Sequence, residues 1–121
     1  MTRVEPLNRL LRALRSGSPD IEACALISED GLVIASALPR DVNEVRVAGM
    51  SAALLSLGER AAAEVARGKL QQVLIRGDEG YMVMTRAGTG TLLLALTTRE
   101  AKLGLVFYDM DHAAAEIRKI F

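Results

Sequence analysis

Two segments of this chain are apolar on both of the sides a β-strand presents, and that sets the number of layers its fold needs. In Ile21 to Ser28, the residues Ala23, Ala25 and Ile27 alternate with Cys24 and Leu26, and in Thr91 to Thr97, Leu92, Leu94 and Leu96 alternate with Leu93 and Ala95. Successive strand side chains point to opposite sides of the sheet, so helices must cover both faces.

The rest of the chain supplies those helices and the remaining strands. Leu7, Leu10, Leu11 and Leu14 repeat at i, i+3, i+4, i+7 between Pro6 and the Gly17/Pro19 stop, which predicts a short amphipathic helix. Glu29-Asp30-Gly31 joins Ile21 to Ser28 with Leu32 to Ala37 as a β-hairpin. Leu70 to Arg76, Tyr81 to Arg86 and Thr91 to Thr97 read as three more strands, turned at Gly77-Asp78-Glu79-Gly80 and Ala87-Gly88-Thr89-Gly90. Thr97 and Glu100 form a capping pair before a last helix whose Leu103, Phe107, Met110, Ala114, Ile117 and Phe121 face inward. Its solvent face holds Lys102, Asp109, Asp111, Glu116 and Lys119. The expected fold is α/β of the α+β kind, in the order α-β-β-α-β-β-β-α. A five-stranded antiparallel sheet carries the long helix on one face and the two terminal helices on the other. With 121 residues this is one domain, residues 1–121, large enough to bury about two thirds of its unfolded surface.

The long central helix, Asp41 to Gly68, is predicted from an Asp41/Glu44 capping pair and a Gly68 stop. Its charges Arg46, Arg60, Glu64 and Arg67 occupy a narrow arc. One side of the uncharged remainder, Val47, Leu54, Gly58 and Val65, is assigned to the core. The other, Val45, Ala48, Ala52, Leu55, Ala62, Ala63 and Ala66, is assigned to close approach by a second helix. Glu59 falls inside the alanine arc and is expected at the wet rim of that contact, or paired across it.

Fifteen basic and fifteen acidic residues cancel, aromatics make up 3%, and no basic run occurs, which argues against nucleic-acid binding. The start MTRVEPLNRL has no signal-peptide pattern, and no stretch approaches the ~20 apolar residues of a membrane span, so a cytoplasmic protein without direct membrane insertion is expected. Cys24 is the sole cysteine and reads as a buried thiol.

No constellation of catalytic or cofactor-binding residues emerges. The chain has no phosphate-loop motif, and Gly88-x-Gly90 precedes a strand where a phosphate site would need a helix amino terminus. His112, the sole histidine, shares a helix face with Asp109 but lacks further ligands for a metal. A Cys24–His112 nucleophile pair is disfavoured by the strand position of Cys24. Catalytic, cofactor and metal sites are therefore all expected to be absent. The mixed strip Arg46, Met50, Ala53, Leu57, Arg60, Glu64 and Arg67 is the expected partner-contact surface, since arginine forks and adaptable apolar side chains suit interfaces.

Taken in order, Ile27-Ser28-Glu29-Asp30-Gly31-Leu32-Val33-Ile34-Ala35, the alanine-rich helix, Gly80-Tyr81-Met82-Val83-Met84 and Gly104-Leu105-Val106-Phe107-Tyr108-Asp109-Met110 resemble the Roadblock (dynein light chain) family over nearly the whole chain. The resemblance is to its bacterial single-domain members, related to the MglB-type partners of Ras-like GTPases, and it implies a Roadblock/profilin-like three-layer sandwich. It implies a homodimer joined through edge strands with the long helices side by side, here involving Ala48, Ala52, Leu55, Glu59, Ala62, Ala63, Ala66, Leu70, Gln71, Gln72, Val73 and Leu74. Leu70 to Arg76 is poorly defended against such pairing, having no proline or lysine in the paired stretch. The resemblance further implies a regulator or scaffold that binds a Ras-like small GTPase across the paired long helices and stimulates hydrolysis, where it does so, by positioning the GTPase's own groups. A sensor-kinase-type complex is a further implied partner. An arginine finger from Arg46 or Arg60 is not required by the family pattern. The competing reading is a small-molecule sensory module with a profilin/PAS-like fold, which calls for a pocket with convergent polar groups.

Overall fold

The computed structural model describes residues 4–121; Met1 to Arg3, the start of the segment read above for a signal peptide, lie outside the described residues. Along the chain come α1 (Val4–Gly17), β1 (Ile21–Ser28), β2 (Val33–Ala37), α2 (Glu44–Glu64), β3 (Gln72–Gly77), β4 (Gly80–Arg86), β5 (Thr91–Thr97) and α3 (Leu103–Ile120). The five strands form one sheet in the order β2-β1-β5-β4-β3, antiparallel at every pairing. The two most apolar strands, β1 and β5, therefore lie side by side inside the sheet, with Cys24 opposite Ala95 and Leu26 opposite Leu93. This is the architecture expected from the sequence.

Each face has its own core. Leu7, Leu11 and Leu14 of α1 and Val106, Met110, Ala114 and Ile117 of α3 close over Cys24, Leu26, Val83, Leu93 and Ala95. On the opposite face, Ala48 and Leu55 of α2 lie over Ala25, Ile27, Met84, Leu92 and Leu94. The alternation of β1 and β5 thus splits between the two cores as the period of two requires.

The central helix departs from its expected boundaries and rotation. It begins at Glu44 with Asn43, not Asp41, as the cap: the Asn43 side-chain oxygen accepts from the Arg46 amide at 3.1 Å. Glu44 does not reach back to the cap but accepts from Ser36 Oγ at 2.8 Å, tying the helix start to β2. It ends at Glu64, four residues before Gly68. There the Arg67 amide donates to Ala62 O at 2.8 Å and the Ala66 amide to Ala63 O at 3.1 Å, the two bonds of a Schellman stop. Its left-handed position is filled by Ala66 at φ 56°, where glycine is favoured.

The helix is also rotated from the expected setting. Ala48, Ser51 and Leu55 are buried, whereas Val47, Leu54 and Gly58 are half-buried and Val65 is 59% exposed. The sheet takes the middle of the broad apolar arc, and the two assigned sides become its flanks. Ala48 and Leu55, assigned to a helix–helix surface, therefore belong to the core, and Val65, assigned to the core, lies beyond the helix end.

The last helix also starts later than its expected cap. Thr97 remains in β5, where its hydroxyl accepts from the Tyr81 amide at 3.2 Å, and Glu100 pairs with Arg99. The amide of Lys102, at the start of α3, is instead met by Asp20 Oδ2 at 2.8 Å, a partner 82 residues away that no local pattern reveals.

Two backbone positions give opposite predictions. Ala66→Gly should raise stability by about 1 kcal/mol, because it relieves the left-handed strain without losing a contact. A Cβ on Gly80 would stand 2.1 Å from Thr97 O at φ +149°, so Gly80→Ala should cost about 2 kcal/mol or more. Urea-denaturation midpoints of the two variants check both.

Candidate functional site: the outward face of α2 and the edge strand β3

Because one line of α2 is pressed on the sheet, its opposite side faces outward along the full length of the helix. Val45 is 81% exposed, Met50 52% and Leu57 59%. Arg46, Gly49, Ala53, Ser56, Arg60, Ala61 and Glu64 are exposed beside them. Of the eleven large exposed apolar residues among the described residues, four lie on α2 or just past its end, which makes this face the main concentration. Arg46, Met50, Ala53, Leu57, Arg60 and Glu64 are thus brought onto one strip.

Arg67 does not join them. The helix has ended before it, and its Nη1 turns back to donate to Val65 O at 3.3 Å and Ala66 O at 3.4 Å, where it complements the negative helix end. Among the described residues no ion pair engages Arg46, Arg60 or Glu64. Arg46 lies in the first turn and Glu64 closes the last, so both charges oppose the helix dipole.

The second part of the site is the edge strand β3. It has one neighbour, β4, so its other side offers unpaired backbone groups. Leu74 and Ile75 are 43% and 38% exposed, Gln71 is exposed, and Gln72 and Val73 are half-buried. Leu70 and Val73 pack on α2 at Gly58, where an added Cβ would lie 3.1 Å from Leu70 Cδ2 and 3.3 Å from Val73 Cγ2. Of the alanines assigned to a helix contact, Ala52 and Ala62 are half-buried, while Ala63 and Ala66 are exposed. Glu59, half-buried, pairs with Arg86 of β4 within the chain, which ties α2 to the sheet.

The chemistry-bearing residues weighed from the sequence are engaged with other partners. His112 is exposed, its Nδ1 3.1 Å from Tyr108 O and its ring 4.3 Å from that of Tyr108, while Asp109 Oδ2 accepts from Ser18 Oγ at 2.7 Å. No group of three or more His, Cys, Asp or Glu placed to hold a metal occurs among the described residues. The Gly88–Gly90 segment is a hairpin turn, closed by the Ala87 amide on Thr91 O at 3.1 Å. Cys24 is buried between β2 and β5, its thiol donating to Leu11 O at 3.3 Å. Burial pushes that thiol up from 9.0 to about 11, against the opposing pull of Arg15. No helix among the described residues is long and apolar enough to cross a membrane. What the arrangement presents is an exposed helix face beside an open sheet edge.

The Roadblock/LC7 domain family model matches residues 7–97. An uncharacterized protein of Methanocaldococcus jannaschii is 37% identical over 115 residues, covering 95% of this chain and 99% of that relative. Among solved structures, a Roadblock/LC7 domain from Streptomyces avermitilis is 29% identical with a TM-score of 0.86, covering 93% of this chain and 94% of that one. Myxococcus xanthus MglB shares the fold at 20% identity with a TM-score of 0.89, covering 97% of this chain and 88% of that one.

The buried thiol gives a prediction with a defined sign. Near pH 8 the native protein should be inert to a thiol reagent such as DTNB and react with one equivalent only after denaturation. The folded thiol keeps its proton up to about 11, whereas the unfolded one releases it near 9.0. Between those values the unfolded state binds fewer protons, so stability falls as pH rises through that window. Cys24→Ala should remove that part of the slope in urea midpoints measured across the window.

Proposed function

This chain belongs to the Roadblock/LC7 family, and on that premise we propose that it is a homodimeric, non-catalytic regulator that docks a Ras-like small GTPase on the outward faces of two α2 helices. The observation that carries the proposal is the exposed strip of α2, in which Met50, Ala53 and Leu57 lie between Arg46 at one end and Arg60 and Glu64 at the other. Such a strip, apolar in the middle with charges at its ends, has the anatomy of a contact surface.

Homodimerisation is supported by two features of the protomer. β3 is an exposed edge without proline or lysine, so a second copy can pair with it along the unpaired side. The α2 face of the sheet is also thinly covered. Five strands span roughly 20 Å, whereas one helix with its side chains is about 10–12 Å across. Ile75, at the β3 end of that face, remains 38% exposed.

In this reading α2 contributes shape and charge to a partner, and any GTP chemistry belongs to the GTPase. The mechanism is a bias on the GTPase's switch segments, exerted only insofar as the dimer binds one nucleotide state better than the other. A sensor-kinase-type complex would use the same surface.

Two experiments test this. Leu74→Lys with Ile75→Lys should convert a dimer to a monomer in analytical ultracentrifugation while far-UV circular dichroism stays unchanged; a dimer that survives both changes would move the interface away from β3. Mixing the protein with a Ras-like GTPase encoded beside its gene should give a complex whose affinity differs between the GDP and GTP forms. Arg60→Glu and Leu57→Asp should each weaken it by roughly tenfold or more while leaving the dimer intact. Equal affinity for the two nucleotide forms would leave a scaffold and remove the regulatory mechanism, and unchanged affinity in both variants would remove α2 as the docking face.

A further inference from the structure

Beside the start of β3, the loop after α2 and the last turns of α3 border an open cleft, which lies away from the Arg46–Glu64 strip of α2 and shares Ala63, Leu70 and Gln71 with the rim of the β3 edge. It has a volume of about 570 Å³ and is lined by Glu59, Lys69, Gln71, Thr85, Arg86 and Arg118, among others. That size falls within the range of small-molecule sites, and its lining combines apolar surface from Ala63 and Leu70 with a cluster of basic side chains. Three cations face one carboxylate, in a chain whose fifteen basic and fifteen acidic residues cancel overall.

The cations come from three separate elements, and the contacts that position them lie in the cleft wall itself. Arg86, at the end of β4, is paired with Glu59 of α2. Arg118 of α3 donates Nη2 to the Arg86 carbonyl oxygen at 3.1 Å, which fixes its guanidinium beside the cleft wall. The loop bearing Lys69 is anchored two residues on, where Thr85 Oγ1 donates to Gln71 O at 3.3 Å. No ion pair engages Lys69 among the described residues. A second cavity of about 540 Å³ is also lined by Arg86 and Arg118.

With Glu59 balancing Arg86, the remaining lining charge is that of Lys69 and Arg118, matched by a group carrying two negative charges. We propose that this cleft binds a small phosphate-bearing molecule, its dianionic group held between Lys69 and Arg118 and walled by the Glu59–Arg86 pair. A planar guanidinium fork opposite a mobile ammonium is a combination suited to phosphate oxygens. A single carboxylate would fill only a fraction of the volume and bring one negative charge to the two cations. The site is independent of the GTPase reading and stands or falls without it.

The test is a titration of the full chain with inorganic pyrophosphate at constant ionic strength, followed by amide and arginine side-chain NMR and by calorimetry. The expected result is saturable binding that shifts the amides of residues 68–71 and the Nε–H signals of Arg86 and Arg118. Lys69→Ala with Arg118→Ala should weaken it by about tenfold or more, the loss expected for removing charge-assisted hydrogen bonds. Arg12→Ala with Lys119→Ala, which removes the same charge outside the cleft, should leave it unchanged. If the double cleft variant fails to fold, Lys69→Ala alone, in an exposed loop, serves with a smaller loss in the same direction. No saturable response, an equal response to acetate, or equal weakening in the control variant would overturn the site.

Discussion

The structure depends on one mismatch of widths: a sheet that is apolar on both faces receives two helices on one side and a single helix on the other. On the terminal-helix side, α1 and α3 lie together and enclose a core running from Leu7 to Ile117. On the α2 side, one helix must serve all five strands. Its central line of Ala48, Ser51 and Leu55 meets the sheet directly, and its flanks are covered only in part. Burial of apolar area contributes at about 25 cal/mol per Å², so every half-covered residue there retains free energy that a second layer element can still supply. Exposure of Leu57 and Met50 above, and of Ile75 at the edge, is the same deficit seen from outside.

Small residues decide how closely that helix can sit. Ala48 lies directly over the sheet, and Gly58 lets Leu70 and Val73 approach the helix axis. Gly31 extends the same contact at the hairpin, since a Cβ there would meet Gly49 Cα at 3.4 Å. The alanine-rich composition of α2 therefore has an internal use that the linear pattern disguises. An alanine arc reads as a surface reserved for another helix, but about half of it is spent on the chain's own sheet. What remains for a partner is the outward strip together with Ala63 and the β3 edge.

This separates what the sequence disclosed from what it concealed. Element order, hairpins, sheet composition and the assignment of each strand side to a separate core follow from period-two alternation and turn residues, and those signals are local. The strip of Arg46, Met50, Ala53, Leu57, Arg60 and Glu64 also follows from helical spacing, because the helix stays regular across it. Spacing fails at Arg67, where the helix has already turned through Ala66, an alanine filling a position at which glycine would have announced the stop. It fails again wherever the partner is distant: Glu59 finds Arg86, Asp20 meets the start of α3, and Arg118 closes on Arg86 across 32 residues. The rotation of α2 was hidden for a different reason, since an apolar arc this broad offers the sheet several nearly equivalent lines.

The charges of α2 bear on why the outward strip is built as it is. A helix selected only for its own stability carries acids in its first turn and bases in its last, each worth typically 0.3–1 kcal/mol at a surface. Here Glu44 follows that rule but is turned toward Ser36, while Arg46 in the first turn and Glu64 in the last run against it, and the last turn holds no base at all. Ordinary solubility would be served equally well by the opposite arrangement, at lower cost to the helix. A positive charge does stand at the carboxyl end, but from outside the helix, where the Arg67 guanidinium donates to the carbonyls of Val65 and Ala66 just past its last turn. That leaves Arg46 and Glu64 disposed by something other than the helix dipole, with an apolar path between them. A complementary charged surface on a partner is the physical agent that can recover the loss, which is why the docking reading rests on this face.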